Sequence, residues 1–333
     1  MRAMVMAAGL GKRLRPLTWE IPKPVVPVAN RPVIEHILRG LRRHGVEQVL
    51  SNLHWFPETI RGPLGDGSAL GVEITYLEEE KLLGTAGGVR NARDFLTAEG
   101  GPFLVMAGDA LTDIDYTALL DAHRSNGGLA TLAVKQVADV SQYGVVVTDG
   151  DGRVQGFQEK PDPAEALSDL TNSMIYVFEP EVLDHFPPGE VIDFALDVFP
   201  ALLEADVPFH VHRFEEYWND VGTIEEYLQG NLDVVDGRVD VEAAGELVSG
   251  GPSEDLTAEQ PGGWELSGAV LLGEGATVGS GARIDGPAVI GPQARVGEGA
   301  IVKRSVLLAG AEVPAGGLIV GAISGSRERL AAL

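Results

Sequence analysis

The 333-residue sequence contains no cysteine. Disulfides and thiolate chemistry are therefore excluded, and the composition suits a reducing compartment. No apolar run is long enough to cross a bilayer. The first one, Ala3 to Ala8, is short and breaks at Gly9 and Lys12, so it does not read as a signal peptide. Positive charge is also scarce: 25 Lys and Arg stand against 49 Asp and Glu, a formal net charge of −24. That balance disfavours nucleic acid and anionic membranes as partners. The expectation is a cytoplasmic protein that binds neither. The length predicts two domains, or one large and one small.

The first 45 residues run against this deficit. They hold Arg2, Lys12, Arg13, Arg15, Lys23, Arg31, Arg39, Arg42 and Arg43 against Glu20 and Glu35. Arg39, Arg42 and Arg43 read as the solvated face of a helix. The remainder concentrates in Met6 to Pro24, Met-Ala-Ala-Gly-Leu-Gly-Lys-Arg-Leu-Arg-Pro-Leu-Thr-Trp-Glu-Ile-Pro-Lys-Pro. An apolar run ends there at a turn, the pattern of a buried strand. Gly9 and Gly11 permit positive φ and close approach of a ligand to the backbone. N–H groups in such a loop can cradle phosphate oxygens. Lys12, Arg13 and Arg15 add charge, and the planar arginine fork suits phosphate. Pro22 and Pro24 stiffen the chain around Lys23. The stretch is neither a P-loop, whose spacing is absent, nor a dinucleotide fingerprint, because Leu14 stands where that motif needs glycine.

Strand-like and helix-like segments alternate from Met1 to about Val235. Ala3–Ala8, Val49–Leu53, Val72–Tyr76, Phe103–Ala107 and Leu129–Val134 read as strands. Val33–His44, Pro57–Pro63, Ala86–Ala92 and Tyr116–Ser125 read as helices. A hairpin is expected around Asp149–Gly152, a strand over Ser173–Phe178 and a helix around Val191–Glu204. Alternation predicts an α/β domain with a mostly parallel sheet, its ligands beyond the carboxyl ends of the strands. Residues 236–263 are rich in Gly, Ser, Pro and acids and read as a linker. After it, Leu272, Val278, Ile284, Ile290, Val296, Val302 and Leu308 recur every six residues. Small or modest residues follow four positions later, from Ala276 to Val306. A period of six is the hexapeptide pattern of a parallel β-helix. The predicted domains are 1–235, a linker at 236–263, a β-helix at 264–325 and a tail at 326–333.

The string from Met6 to Pro24 resembles the signature of the sugar-1-phosphate nucleotidyltransferases, and the resemblance extends over essentially the whole chain. Val26 to His36 and Leu83–Gly88 look like the mannose-1-phosphate guanylyltransferase branch. The resemblance implies a Rossmann-like nucleotidyltransferase domain followed by a left-handed parallel β-helix. It also implies a nucleotide site at Ala8, Gly9, Gly11, Lys12, Gly84, Thr85, Ala86 and Gly108, with the 84–88 loop against the nucleobase. Read from the residues alone, Thr85 caps a helix there and the glycines pack. Glu78, Glu79 and Glu80 read as surface charge, with a contact from one of them to a guanine donor edge as the alternative. Asp109 and Asp220, in Gly108-Asp109 and Trp218–Thr223, would hold Mg2+, a hard cation that takes carboxylate, water and phosphate oxygens. Asp113 and Asp115 read as turn and cap residues. Tyr143, Gly144, Glu159, Lys160 and Asn172 match the family's sugar-phosphate site. Ser173 and Met174 depart from it, because small residues and a glycine usually follow that asparagine.

The implied reaction is an in-line attack of a sugar-1-phosphate oxygen on the α-phosphorus of a nucleoside triphosphate, with pyrophosphate leaving. The nucleophile is already anionic and needs no general base. The protein must neutralise repulsion and align two phosphates. Arg13 would meet the triphosphate and Lys23 would bridge the reacting phosphates. The resemblance favours GTP and mannose-1-phosphate, with a glucose-1-phosphate uridylyl- or thymidylyltransferase as the alternative. A non-catalytic regulator of the same fold is the rival of another class. A β-helix acyltransferase is disfavoured, because none of the seven histidines lies in the repeat. The β-helix is expected to serve as a homo-oligomer surface.

Overall fold

A computed structural model describes residues 1–19, 21–187, 190–250, 258–325 and 329–331. The expected linker and tail thus lie partly outside the described residues. No helix among them is long and apolar enough to cross a membrane.

The first domain is built on a nine-stranded sheet. Its strands are β1 (Arg2–Met6), β2 (Gln48–Leu53), β3 (Glu73–Glu78), β4 (Phe103–Ala107), β5 (Ala130–Gln136), β6 (Gly144–Thr148), β7 (Val154–Glu159), β8 (Leu170–Phe178) and β9 (Phe209–Arg213). The main order is β7-β6-β8-β4-β1-β2-β3, with β5 beside β8 and β9 beside β5. The sheet is mixed. β4, β1, β2 and β3 run parallel, whereas β8 is antiparallel to β4, β5 and β6. Ala3, Met4 and Val5 of β1 are fully buried, because helices cover both faces.

Helices α1 (Val33–Arg43), α2 (Pro57–Leu64), α3 (Gly84–Asn91), α4 (Tyr116–Asn126) and α5 (Phe199–Glu204) flank the sheet, and α6 (Ile224–Val235) packs on the C-terminal strands. Val33, Ile34, Ile37, Leu38 and Leu41 form the buried stripe of α1. Its basic residues are paired: Arg39 with Glu35 and Glu242, Arg42 with Glu47, Arg43 with Asp240. Arg39 and Arg43 thus tie the helix to the chain beyond α6, and none of the three presents a free charge. Asp115 caps α4, accepting from the Thr117 and Ala118 N–H groups. Thr223 and Glu226 cap α6 reciprocally.

The C-terminal residues wind into three sheets of short strands, whose successive coils pair in parallel. Leu266, Ile284, Val302 and Ile319 stack in one column, with neighbours 18, 18 and 17 residues apart. Three six-residue sides make one 18-residue coil. The register shortens by one residue after Val302. Leu307, fully buried, therefore pairs with Ile290, and Leu308 is displaced from the interior column that an unbroken period assigns to it. Val306 turns outward and joins Leu271, Val289 and Ile323 against Tyr227, Leu228 and Leu232 of α6. Within the expected linker, Glu246–Ser249 is already a strand, antiparallel to Ala269–Leu272.

Candidate active site

The carboxyl ends of β1 and β4 open into a cavity of about 700 Å³. Arg13, Lys23, Thr85, Asp109, Tyr143, Gly144, Glu159, Lys160, Asn172 and Asp220 line it. An adjoining cleft of about 290 Å³ is lined by Gly11, Lys12 and Gly222 and shares Arg13, Lys23 and Asp109. Residues distant in sequence thus converge on one place. Ala8, Gly9, Gly84, Ala86 and Gly108 line neither space.

Lys23 is the centre of the charged half. Its Nζ lies 2.9 Å from Asp109 Oδ2 and donates to the Asp220 carbonyl oxygen at 2.6 Å. Its side chain is only 9 % exposed. Gly11 makes room for it: φ is +55°, and a Cβ there would stand 2.9 Å from Lys23 Cβ. Gly9 does not share the left-handed conformation, and a Cβ on it meets nothing within 4 Å. Arg13 is half exposed and donates to Asp220 Oδ2 at 3.3 Å. A Cβ at Gly222 would meet that same oxygen at 2.8 Å and Arg13 Nη1 at 3.1 Å, so glycine is imposed there by the charged cluster.

Burial pushes the Asp220 carboxyl above its usual range, and Glu226 adds to the effect, while Lys23 and Arg13 oppose it. Asp220 Oδ1 is buried and makes no hydrogen bond within the protein. No group of three or more metal-binding side chains occurs among the described residues. Two carboxylates, one with an orphaned oxygen, match a magnesium ion that takes its other ligands from water and phosphate.

The residues expected to meet the sugar phosphate line the same cavity. Lys160 pairs with Glu159 at 3.0 Å, and its N–H donates to the Tyr143 carbonyl at 3.1 Å. Tyr143 Oη donates to Glu226 Oε1 at 2.9 Å, and burial raises its pKa. β8 bulges between Asn172 and Ile175. Asn172 Oδ1 accepts the Met174 N–H at 3.0 Å, and Met174 adopts φ +57°. The residue that departs from the family pattern is thus held in a left-handed conformation with its side chain in the cavity wall.

The 84–88 segment is tied to the chain at Ile192. The Ala86 and Gly87 N–H groups donate to the Ile192 carbonyl at 3.0 and 3.2 Å, and Ala86 is fully buried. A Cβ at Gly84 would lie 2.3 Å from the Ile192 oxygen, so packing dictates this glycine. Thr85 lies inside α3 instead of capping it. Its Oγ1 donates to Asp193 Oδ2 at 2.8 Å and accepts the Phe194 N–H at 3.0 Å. Gly108 donates its N–H to the Met6 carbonyl at 2.8 Å, drawing the ends of β1 and β4 together. Glu79 is no surface charge: it is buried, while Glu78 and Glu80 are exposed.

Sequence reasoning missed Trp218, which packs edge-on against Tyr143 at 5.4 Å between ring centroids, and Glu226. It also missed Asp193, Phe194 and Leu196, which close the cavity beside Met174. The Thr223-x-x-Glu226 capping box was the one local signal that could have pointed to Glu226.

The family model for nucleotidyl transferases matches residues 2–237. A UTP–glucose-1-phosphate uridylyltransferase of Synechocystis sp. is 37 % identical over 335 residues, which cover 96 % of this chain and 86 % of that protein. A mannose-1-phosphate guanylyltransferase of Mycobacterium tuberculosis is also 37 % identical, over 85 % of this chain and 77 % of its own length. The solved structure of HddC from Yersinia pseudotuberculosis complexed with GMP-PN shares the fold, with a TM-score of 0.60, 24 % identity and coverage of 69 % of this chain and 97 % of its own. The chain belongs to the nucleotidyl transferase family, as a sugar-1-phosphate nucleotidyltransferase.

Proposed function

We propose that the protein transfers a nucleotidyl group from GTP to mannose-1-phosphate, releasing pyrophosphate and forming GDP-mannose. The reading rests above all on Lys23, whose ammonium joins Asp109 Oδ2 at 2.9 Å to the Asp220 backbone at 2.6 Å, between two walls of opposite use. Arg13 and Lys12 line the cleft assigned to the triphosphate. Glu159, Lys160, Asn172, Tyr143 and Gly144 line the wall assigned to the sugar phosphate. Lys23 draws the two phosphates together and offsets their repulsion. Arg13 holds the leaving pyrophosphate as charge builds on it. Asp109 and Asp220 would hold Mg2+, which supplies Lewis-acid charge to the α-phosphate when bound. Glu159 accepts from sugar hydroxyls.

UTP with glucose-1-phosphate is the second pair, supported by the Synechocystis relative. Pyrophosphate release with five nucleoside triphosphates against four sugar phosphates, with and without Mg2+, decides between them. GTP with mannose-1-phosphate is expected to give the highest kcat/KM. Highest turnover with UTP or dTTP and glucose-1-phosphate overturns the choice of substrates. No pyrophosphate from any pair overturns the enzyme in favour of a regulator.

The same family reading assigns residues 1–235 to catalysis and gives the β-helix a left-handed coil. It also makes the β-helix a homo-oligomer surface. Exposed Ile301, Leu318 and Val320 on adjacent strands support that role. A monomer in light scattering at working concentration refutes it.

A further inference from the structure

Glu79 follows β3 at the sheet edge that carries the site. It is 6 % exposed and has no cationic partner among the described residues. A buried carboxylate without a counter-ion is costly unless hydrogen bonds hold it, and here they do. Oε1 accepts from Asn52 Nδ2 at 2.7 Å, and Oε2 accepts the Leu83 N–H at 3.2 Å. The Glu79 N–H donates to the Leu53 carbonyl at 2.8 Å, and its own carbonyl meets His54 Nδ1 at 2.8 Å. Asn52 Oδ1 in turn accepts the Ala7 N–H at 2.9 Å. Ala7 opens the loop that leads to Gly11 and Arg13. Leu83 is the residue from which α3 departs, two positions before Thr85 of the cavity wall. One chain of hydrogen bonds, Leu83 to Glu79 to Asn52 to Ala7, therefore spans the ends of β1, β2 and β3. The charge on its central member strengthens both bonds it accepts. A Cβ at Gly88 would stand 2.7 Å from Glu79 Oε1, so α3 packs directly on this carboxylate.

We propose that Glu79 is a positioning residue for the nucleotide: it fixes the phosphate loop relative to the start of α3, and so sets the width of the nucleotide half of the site. The inference rests on the transferase reading above. Glu79→Gln keeps the shape. Its amide satisfies one of the two donors and turns its own N–H2 toward the other. In steady-state pyrophosphate release, the variant raises KM for the nucleoside triphosphate by about 5- to 30-fold. KM for the sugar phosphate stays within about twofold, because that wall lies on β6, β7 and β8. Gly88→Ala presses on the same carboxylate without removing it and shows the same one-sided signature. Asn52→Ala combined with Glu79→Gln costs less than the sum of the two, since both break one chain. Calorimetric titration of nucleotide without sugar phosphate reads the inference independently of turnover. Unchanged nucleotide affinity in Glu79→Gln overturns it, as does an equal rise in both KM values with a lowered melting temperature. A wild-type protein that binds nucleotide tightly but releases no pyrophosphate overturns the transferase reading alone.

Discussion

Lys23→Met removes an ammonium and keeps an apolar stem of similar length, so it isolates the charge. In the free protein Nζ neutralises Asp109 Oδ2 at 2.9 Å and satisfies the Asp220 carbonyl at 2.6 Å. Without it, two carboxylates share a pocket in which only Arg13 remains, 3.3 Å from Asp220 Oδ2. Breaking a fully buried pair costs about 3–5 kcal/mol, whereas exposed pairs contribute at most about 1 kcal/mol. The Asp109 side chain is 31 % exposed and Lys23 only 9 %, which places this pair between the two cases. A destabilisation of about 2 kcal/mol follows, or roughly 4–8 °C in melting temperature for a domain of this size. Excess MgCl2 returns positive charge to the same carboxylates, so most of that loss disappears with the metal. Catalysis does not recover, because the ammonium is needed where phosphate charge develops: kcat falls by about 10²–10³, near 2.7–4 kcal/mol. Melting curves in chelator and in MgCl2, together with steady-state pyrophosphate release, measure both effects. A variant that melts with the wild type in chelator and keeps a third of its kcat refutes the reasoning.

Gly11→Ala, at φ +55° and 2.9 Å from Lys23 Cβ, costs about 1–2 kcal/mol in denaturant unfolding, while Gly9→Ala is neutral within about 0.5 kcal/mol; equal effects refute the assignment. Met174→Gly relieves a left-handed residue and opens the sugar wall. It raises kcat/KM for a 2-acetamido sugar phosphate over its parent hexose phosphate by about tenfold, and an unmoved ratio counts against Met174 as a limit on sugar size. Burial lowers the pKa of His36, His123 and His212 from 6.5, so the fold stabilises their neutral forms. That contribution is complete above pH 6.5 and is lost as pH falls through this unfolded value toward the lowered folded ones, by up to about 1.4 kcal/mol per pH unit for each ring. Melting temperature must fall between about pH 7 and 5.5, and His123→Gln must flatten the fall. Val289→Ala, 1 % exposed between the β-helix and α6, costs about 1–2 kcal/mol, read as a lowered denaturant midpoint at unchanged slope.

The features legible in the sequence are those whose physics is local. The turn after β1, the cation cluster and the six-residue repeat are each written within a few neighbours. The features that escaped are set by contacts across the chain. Glu79 reads as the middle of an acidic run, and nothing nearby signals that Asn52 and Leu83 will enclose it. Gly84 and Gly88 read from the residues alone as packing glycines, but what they pack on, the Ile192 carbonyl and the Glu79 carboxylate, is not written nearby. The antiparallel β8 escaped because alternation reports the order of elements and not their direction. The coil shortening at Val302 escaped because Leu308 is as apolar as Leu307.

That shortening bears on the catalytic domain. An 18-residue coil continued past Val302 would place Leu308 inside. The observed step turns Leu307 inward and leaves Val306 in line with Leu271 and Val289 on the outer face. This outer row is not a free surface. It belongs to one apolar cluster with Tyr227 and Leu232 of α6, and with Val26, Val28 and Val221. Val26 closes the 3₁₀ turn that carries Lys23, donating its N–H to the Lys23 carbonyl at 3.1 Å. Val221, held at φ +48° and fully buried, directly follows Asp220. Both ends of the Lys23–Asp220 contact are therefore anchored in a core that the β-helix completes. Loosening that core reaches the charged cluster through the backbone that carries Lys23 and Asp220, without touching a ligand-binding side chain.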